Sequence, residues 1–146
     1  MRRPYTQLYL HCVWATWDRL PLITPLIESA VYAAIMSKTK LLDCIPLAIG
    51  GVEDHVHLLL RFPTTLTIAE LLQGVKGASS HMITQTVQPG TFFKWQGAYG
   101  AFTLRKEDVP ALQAYIKGQK THHSARDLIP DWEQCTTSED EDESEA

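Results

Sequence analysis

Alternation is the clearest pattern in the chain. His55-Val56-His57-Leu58-Leu59-Leu60 opens an apolar run that ends at Phe62. A β-strand projects successive side chains to opposite faces. His55 and His57 therefore share one face, and Val56, Leu58 and Leu60 share the other. Residues 7–17, rich in aromatic and β-branched types, predict a first strand ended by Asp18-Arg19-Leu20-Pro21. Ile45 to Val52 predicts a second strand, and Glu53-Asp54 turns it antiparallel into the histidine strand. Residues 91–96 and 99–105 read as two short strands flanking Gly97.

Helical spacing fills the gaps. Thr24-Pro25 signals a start, and Leu26, Ile27, Ala30, Val31, Ala34 and Ile35 recur with helical period to about Leu42. Thr67 caps a second helix in a capping box with Glu70, and its apolar stripe is Ile68, Leu71, Leu72, Val75, Ala78 and Met82. Asp108 and Pro110 open a last helix through roughly Ser124. The order is β-α-β-β-α-β with an extra strand and a terminal helix. It predicts an α+β fold of the ferredoxin-like, split βαβ kind, with a central antiparallel sheet and helices on one face.

A chain of 146 residues with 45% hydrophobic content is one ordinary domain with a core of its own. No apolar stretch is long enough to span a bilayer, and the basic N-terminus leads into a stretch broken by His11, Asp18 and Arg19 rather than into a signal peptide. Cys12, Cys44 and Cys135 are odd in number and far apart, which fits free thiols in a reducing cytoplasm. The net charge of −4 conceals a division within the chain. Seven of the 17 acidic residues lie from Glu133 onward, with no basic one among them, so residues 1–132 carry 13 basic against 10 acidic side chains, net +3. Such a tail predicts disorder, and a mildly basic fold permits a polyanionic partner.

Two imidazoles side by side on one strand face can converge on a single metal ion. In the last helix Tyr115, Gln119, His122 and Arg126 follow at i, i+4, i+7 and i+11, one face if the helix runs that far, while Leu112 and Ile116 share another. A Tyr, Gln, His and Arg face is unusual for bare solvent.

His55-Val56-His57 resembles the His-hydrophobic-His signature of the HUH nucleases. Together with the stretch Tyr115 to His123, it resembles the single-tyrosine transposases that mobilise bacterial insertion sequences as single-stranded DNA, and their relatives the REP-associated tyrosine transposases. Val13-Trp14-Ala15-Thr16 and the stretch from Trp95 to Phe102 add to the similarity, which covers residues 5 to 126. The resemblance implies a transposase domain over residues 1–132 and leaves 133–146 as the acidic tail. It implies Tyr115 as the nucleophile that forms a 5′-phosphotyrosine, and a Mg²⁺ or Mn²⁺ cofactor held by His55, His57 and Gln119. The implied partners are single-stranded DNA with hairpin ends and a second copy of the chain, a homodimer in which the tyrosine helix can be exchanged. The implied location is cytoplasmic, at the nucleoid, with no membrane partner.

Lys76, Arg105, Lys117 and Lys120 are candidates for phosphate contacts. Trp95 or Tyr99 is a candidate to stack on an unpaired base, with core packing as the alternative for Trp95. A His-triad nucleotide hydrolase needs histidine where this chain has Leu59, and a zinc hydrolase would have to draw on Glu53 in the turn. The remaining alternative is a domesticated or inactive hairpin-binding protein of the same fold.

Overall fold

A computed structural model describes residues 2–125 and 128–136; Arg126 and most of the acidic tail, both singled out in the sequence, lie outside the described residues. Strand β1 (Tyr9–Ala15) leads through an irregular turn to helix α1 (Glu28–Leu41). Strands β2 (Ile45–Val52) and β3 (His55–Arg61) form a hairpin, followed by helix α2 (Ile68–Met82) and strand β4 (Gly100–Leu104). Helices α3 (Val109–Lys117), α4 (Gln119–Ala125) and α5 (Pro130–Glu133) complete the chain. The sheet order is β2-β3-β1-β4, every neighbouring pair antiparallel, which is the ferredoxin-like order the sequence predicts. Among the described residues no helix is long and apolar enough to cross a membrane.

The period of two in β1 and β3 divides the molecule into two layers. Leu10, Cys12 and Trp14 of β1 join Val56, Leu58 and Leu60 of β3 in the main core, against Val31 and Ile35 of α1 and Leu71, Leu72 and Val75 of α2. The opposite face carries Leu59, on which Leu112, Tyr115 and Ile116 of α3 pack with Ala48 of β2. Each fully buried aliphatic side chain contributes about 1.5–3 kcal/mol, so both layers hold the sheet firmly. The capping box is formed: the Glu70 amide donates to Thr67 Oγ1 at 3.1 Å.

Three elements differ from the sequence reading. Helix α1 begins at Glu28 because residues 25–27 form a turn on the Thr24 carbonyl, which accepts from the amides of Ile27 and Glu28. Residues 91–96 form no strand; Trp95 makes a single bridge to Thr16, where β1 has already ended and offers no further edge. The last helix is interrupted at Gly118, whose φ of −91° and ψ of 13° separate α3 from α4.

Glycines decide how closely α3 can approach the sheet. A Cβ on Gly50 would collide with the Ile116 carbonyl oxygen, and one on Gly51 with the His55 carbonyl oxygen. A Cβ on Gly77, in the middle of α2, would meet nothing. Gly50→Ala is expected to destabilise the fold by about 1–3 kcal/mol through overpacking, while Gly77→Ala is expected to stabilise it by about 0.5–1 kcal/mol through helix propensity. Urea denaturation of the two variants checks this, and equal midpoints would remove the close approach of α3 as an account of Gly50.

Candidate active site

His55 and His57 lie on the sheet face beneath α3 and α4, 2% and 0% exposed. The alternation of β3 aims them together, and the turn at Asp54 adds a carboxylate. Nδ1 of His55 donates to Asp54 Oδ1 at 2.7 Å, fixing that ring from one side. Its Nε2 faces a crowded centre, with His123 Nε2 at 3.1 Å, Gln119 Oε1 at 3.2 Å and Glu133 Oε2 at 3.3 Å. His57 Nε2 donates to the same Glu133 Oε2 at 2.7 Å. The other Glu133 oxygen accepts from the Tyr115 hydroxyl at 2.8 Å, and that hydroxyl in turn accepts from the Ile129 amide at 3.1 Å. One carboxylate therefore joins the tyrosine to the histidine pair.

The sequence-predicted residues of the centre do meet. Tyr115, 4% exposed, and Gln119, 1% exposed, both reach it from α3 and the first turn of α4. Three further groups enter it that the sequence reading did not assign. Glu133 was counted as the first residue of the acidic tail, but α5 and its side-chain contacts place it inside the fold. Pro130 after Ile129 is a helix-start signal, masked by the acidic composition that follows. His122 shares the face of Tyr115 as the spacing predicts, stacking on it with ring centroids 4.7 Å apart, and the adjacent His123 reaches the centre through His55 and Gln119. His11 approaches His57 from β1, and its odd position alongside Val13 in an alternating strand is the signal that could have found it.

Burial and partners set the charges. Burial works to lower His55, but hydrogen bonds to Asp54 and Glu133 outweigh it and raise its pKa to about 9. Burial pulls His57 below the usual imidazole value despite Glu133. It also takes His11, beside His57, down to about 3, and lowers His123, beside His55. Burial would raise Glu133, but hydrogen bonds from His55 and His57 hold its carboxyl well below the usual range. Burial first, and then Glu133, push Tyr115 above the ordinary phenol value.

The donors suit a divalent cation. Nitrogens of His55 and His57 and an oxygen of Glu133 all lie within 4.8 Å of one another. Gln119 directs Oε1 to the same centre, 3.2 Å from His55 Nε2 and 3.0 Å from His123 Nε2. Two imidazoles with amide and carboxylate oxygens make a mixed N,O set that could hold a divalent metal ion.

The outer candidates fare less evenly. Trp95 is 7% exposed in the main core, donating its indole N–H to Ser79 Oγ at 2.9 Å, so its ring cannot stack on a base. Lys76 is half-buried, its ammonium donating to the carbonyls of Gln96, Gly97 and Ala98 at 2.8, 3.2 and 3.3 Å, which anchors the loop before β4. Arg105 pairs with Asp108 and Lys120 with Glu28, both at the surface, and Lys117 is exposed.

Comparison with known proteins agrees with this geometry. The family described as "Transposase IS200 like" matches residues 4–119. A Deinococcus radiodurans R1 protein assigned as a transposase has a similar structure, at TM-score 0.61 and 22% identity, covering 82% of this chain and 95% of its own. A REP-associated tyrosine transposase bound to a REP hairpin is similar at TM-score 0.64 and 16% identity, covering 84% of this chain and 73% of its own. No curated protein matches the sequence.

The charge pattern predicts a pH optimum of stability in metal-free protein. His55 has a folded pKa above its unfolded 6.5, so its contribution is complete below 6.5 and is lost as pH rises toward about 9. His11, His57 and His123 have folded values below 6.5, so theirs is complete above 6.5 and is lost as pH falls. The melting temperature is expected to peak near pH 6.5, and His55→Gln to flatten the slope between 6.5 and 9. Calorimetry across that range checks it; a slope unchanged in the variant would unseat His55 as its source.

Proposed function

The chain belongs to the IS200-like transposases, and from that premise we propose that it cleaves and rejoins single-stranded DNA at insertion-sequence ends through a covalent bond to Tyr115. The observation that carries this reading is the Glu133 bridge. Its two oxygens sit 2.8 Å from the Tyr115 hydroxyl and 2.7 Å from His57 Nε2, so the nucleophile lies one carboxylate away from the candidate metal ligands.

His55, His57 and Gln119 would hold the Mg²⁺ or Mn²⁺ ion, and Glu133 can add a carboxylate oxygen. Bound there, the ion supplies positive charge against the phosphodiester and the further charge that develops on it during reaction. Asp54 keeps the His55 ring turned so that Nε2 faces the centre. The Tyr115 oxygen attacks phosphorus in line with the bond to the 3′ oxygen. That bond breaks, a 3′-hydroxyl leaves with a proton, and a 5′-phosphotyrosine remains. Glu133 Oε1 is the nearest acceptor for the phenol proton. In the reverse sense a 3′-hydroxyl attacks the phosphotyrosine, Tyr115 recovers its proton, and a new phosphodiester forms. One phosphate ester replaces another, so joining requires no ATP. A duplex would hide the target phosphate, which favours single strands and hairpin ends as substrate.

The homodimer and the helix exchange implied by the resemblance belong to the same reading, with Gly118 as the residue able to absorb the change in path. Exchange is not needed to complete a site, since Tyr115 of this chain already contacts Glu133 beside its own histidines. The second reading is a hairpin-binding protein that performs no transposition, favoured by the hairpin bound to one structural neighbour.

Purified protein incubated with single-stranded oligonucleotides from its own flanking DNA and Mg²⁺ is expected to give a covalent protein–DNA band on a denaturing gel. EDTA and Tyr115→Phe should each reduce that band to background. A hairpin retained on a native gel without any adduct would leave the binding-only reading and remove Tyr115 as nucleophile.

A further inference from the structure

His11 is fully enclosed, 1% exposed, yet it is polar. Its Nε2 lies 2.8 Å from Nδ1 of His57. The two ring planes differ by only 12° and their centroids are 5.1 Å apart. A separation that large with so short a nitrogen contact means that the rings lie in line and nearly coplanar, hydrogen-bonded edge to edge rather than stacked. The register explains the meeting: Val13 pairs with His57 and His11 with Leu59, so His11 is the diagonal neighbour of His57 on the same sheet face. Nδ1 of His11 has no hydrogen-bond partner among the described residues.

We propose that His11 is the positioning residue of His57, holding its ring and accepting its Nδ1 proton when Nε2 is given to a metal, an inference that rests on the reading of His55 and His57 as metal ligands. A neutral imidazole that gives Nε2 to a metal must carry its proton on Nδ1, and that proton needs a buried acceptor. His11 Nε2 is the only group in hydrogen-bond contact with His57 Nδ1 among the described residues. The unpartnered Nδ1 of His11 gives this arrangement its use. With nothing fixing that nitrogen, His11 can present either a donor or an acceptor to His57. In the metal-free protein His57 donates through Nε2 to Glu133, so its Nδ1 accepts from His11. With metal on Nε2, His57 carries its proton on Nδ1 and His11 accepts, its own proton now on Nδ1. Both rings are neutral before and after. The two metal-binding histidines thus have different supports, a carboxylate behind His55 and a neutral imidazole behind His57.

The test is Mn²⁺ affinity of the full chain by titration calorimetry, alongside the melting temperature without metal. His11→Phe fills the space but offers no acceptor, and Mn²⁺ binding is expected to weaken about 10- to 100-fold. His11→Gln puts an amide near the same place, able to donate or accept, and is expected to restore affinity close to wild type. A His11→Phe protein that melts cooperatively and binds Mn²⁺ as tightly as wild type overturns the proposal. Long-range proton–nitrogen NMR on the Mg²⁺-loaded wild type decides independently of any variant: His57 should be protonated at Nδ1, and protonation at Nε2 overturns the proposal even if His11→Phe fails to fold. A wild-type chain that binds neither ion takes down the metal-site reading, and this inference with it.

Discussion

Two buried imidazoles must each find partners for two nitrogens, and the site is organised by that requirement. A buried polar group without a partner costs on the order of 1–3 kcal/mol, so histidines cannot be enclosed on a sheet face for nothing. His55 is met by Asp54 from the β2–β3 turn and by Gln119 and His123 from α4. His57 is met by His11 from β1 and by Glu133 from α5. These partners come from both ends of the chain, so the site exists only when the whole fold has formed. The same requirement draws α5 back across the sheet, where its carboxylate also takes the Tyr115 proton as a hydrogen bond.

Close backbone approach makes this convergence possible, and it is achieved by omitting side chains. Gly50 clears β2 so that the end of α3 can settle against it, and Gly51 admits the His55 carbonyl of the neighbouring strand. At the other edge of the sheet, a Cβ on Gly100 would collide with the Gln134 carbonyl oxygen, so that glycine admits the segment carrying Glu133. The glycines that look out of place in a strand or helix therefore mark where the tyrosine and the carboxylate enter. Leu112 and Ile116, buried on the opposite side of α3 from solvent, then fix the height of Tyr115 above the histidines.

Much of this was legible before any coordinates. The bounds of β2, the capping box at Thr67 and Glu70, the shared face of His55 and His57, and the i, i+4 relation of Tyr115 and Gln119 all follow from short-range periodicities. What stayed hidden depends on where distant segments fall. Trp95 has the alternation of a strand residue, but β1 runs out before a ladder can form, and the ring turns into the core. His122 stacks on Tyr115 as the helical spacing predicts, but that His123 also turns toward His55 depends on how α4 settles over the sheet. Glu133 is surrounded in sequence by a composition that reads as tail, and nothing local says that its carboxylate returns to the sheet.

The charge of the site would give a bound metal ion a role beyond the proposed chemistry at phosphorus. Without an ion, Asp54 and Glu133 are both held as carboxylates, and His55 is the one imidazole of the cluster whose pKa is raised. Two negative groups against one positive leave the centre with a net negative charge, which repels a phosphodiester in a poorly screened, largely buried place. A divalent cation held there would take the place of the His55 proton at Nε2 and would still leave the sum more positive by one unit. Occupation by metal therefore converts a centre that rejects phosphate into one that tolerates it. Of the four basic candidates for phosphate contact, Lys76, Arg105 and Lys120 are engaged with groups of their own chain and Lys117 is exposed. On the proposed reading, phosphate binding at the tyrosine and cation binding at the histidines would be coupled on these grounds, each favouring the other by the same free energy.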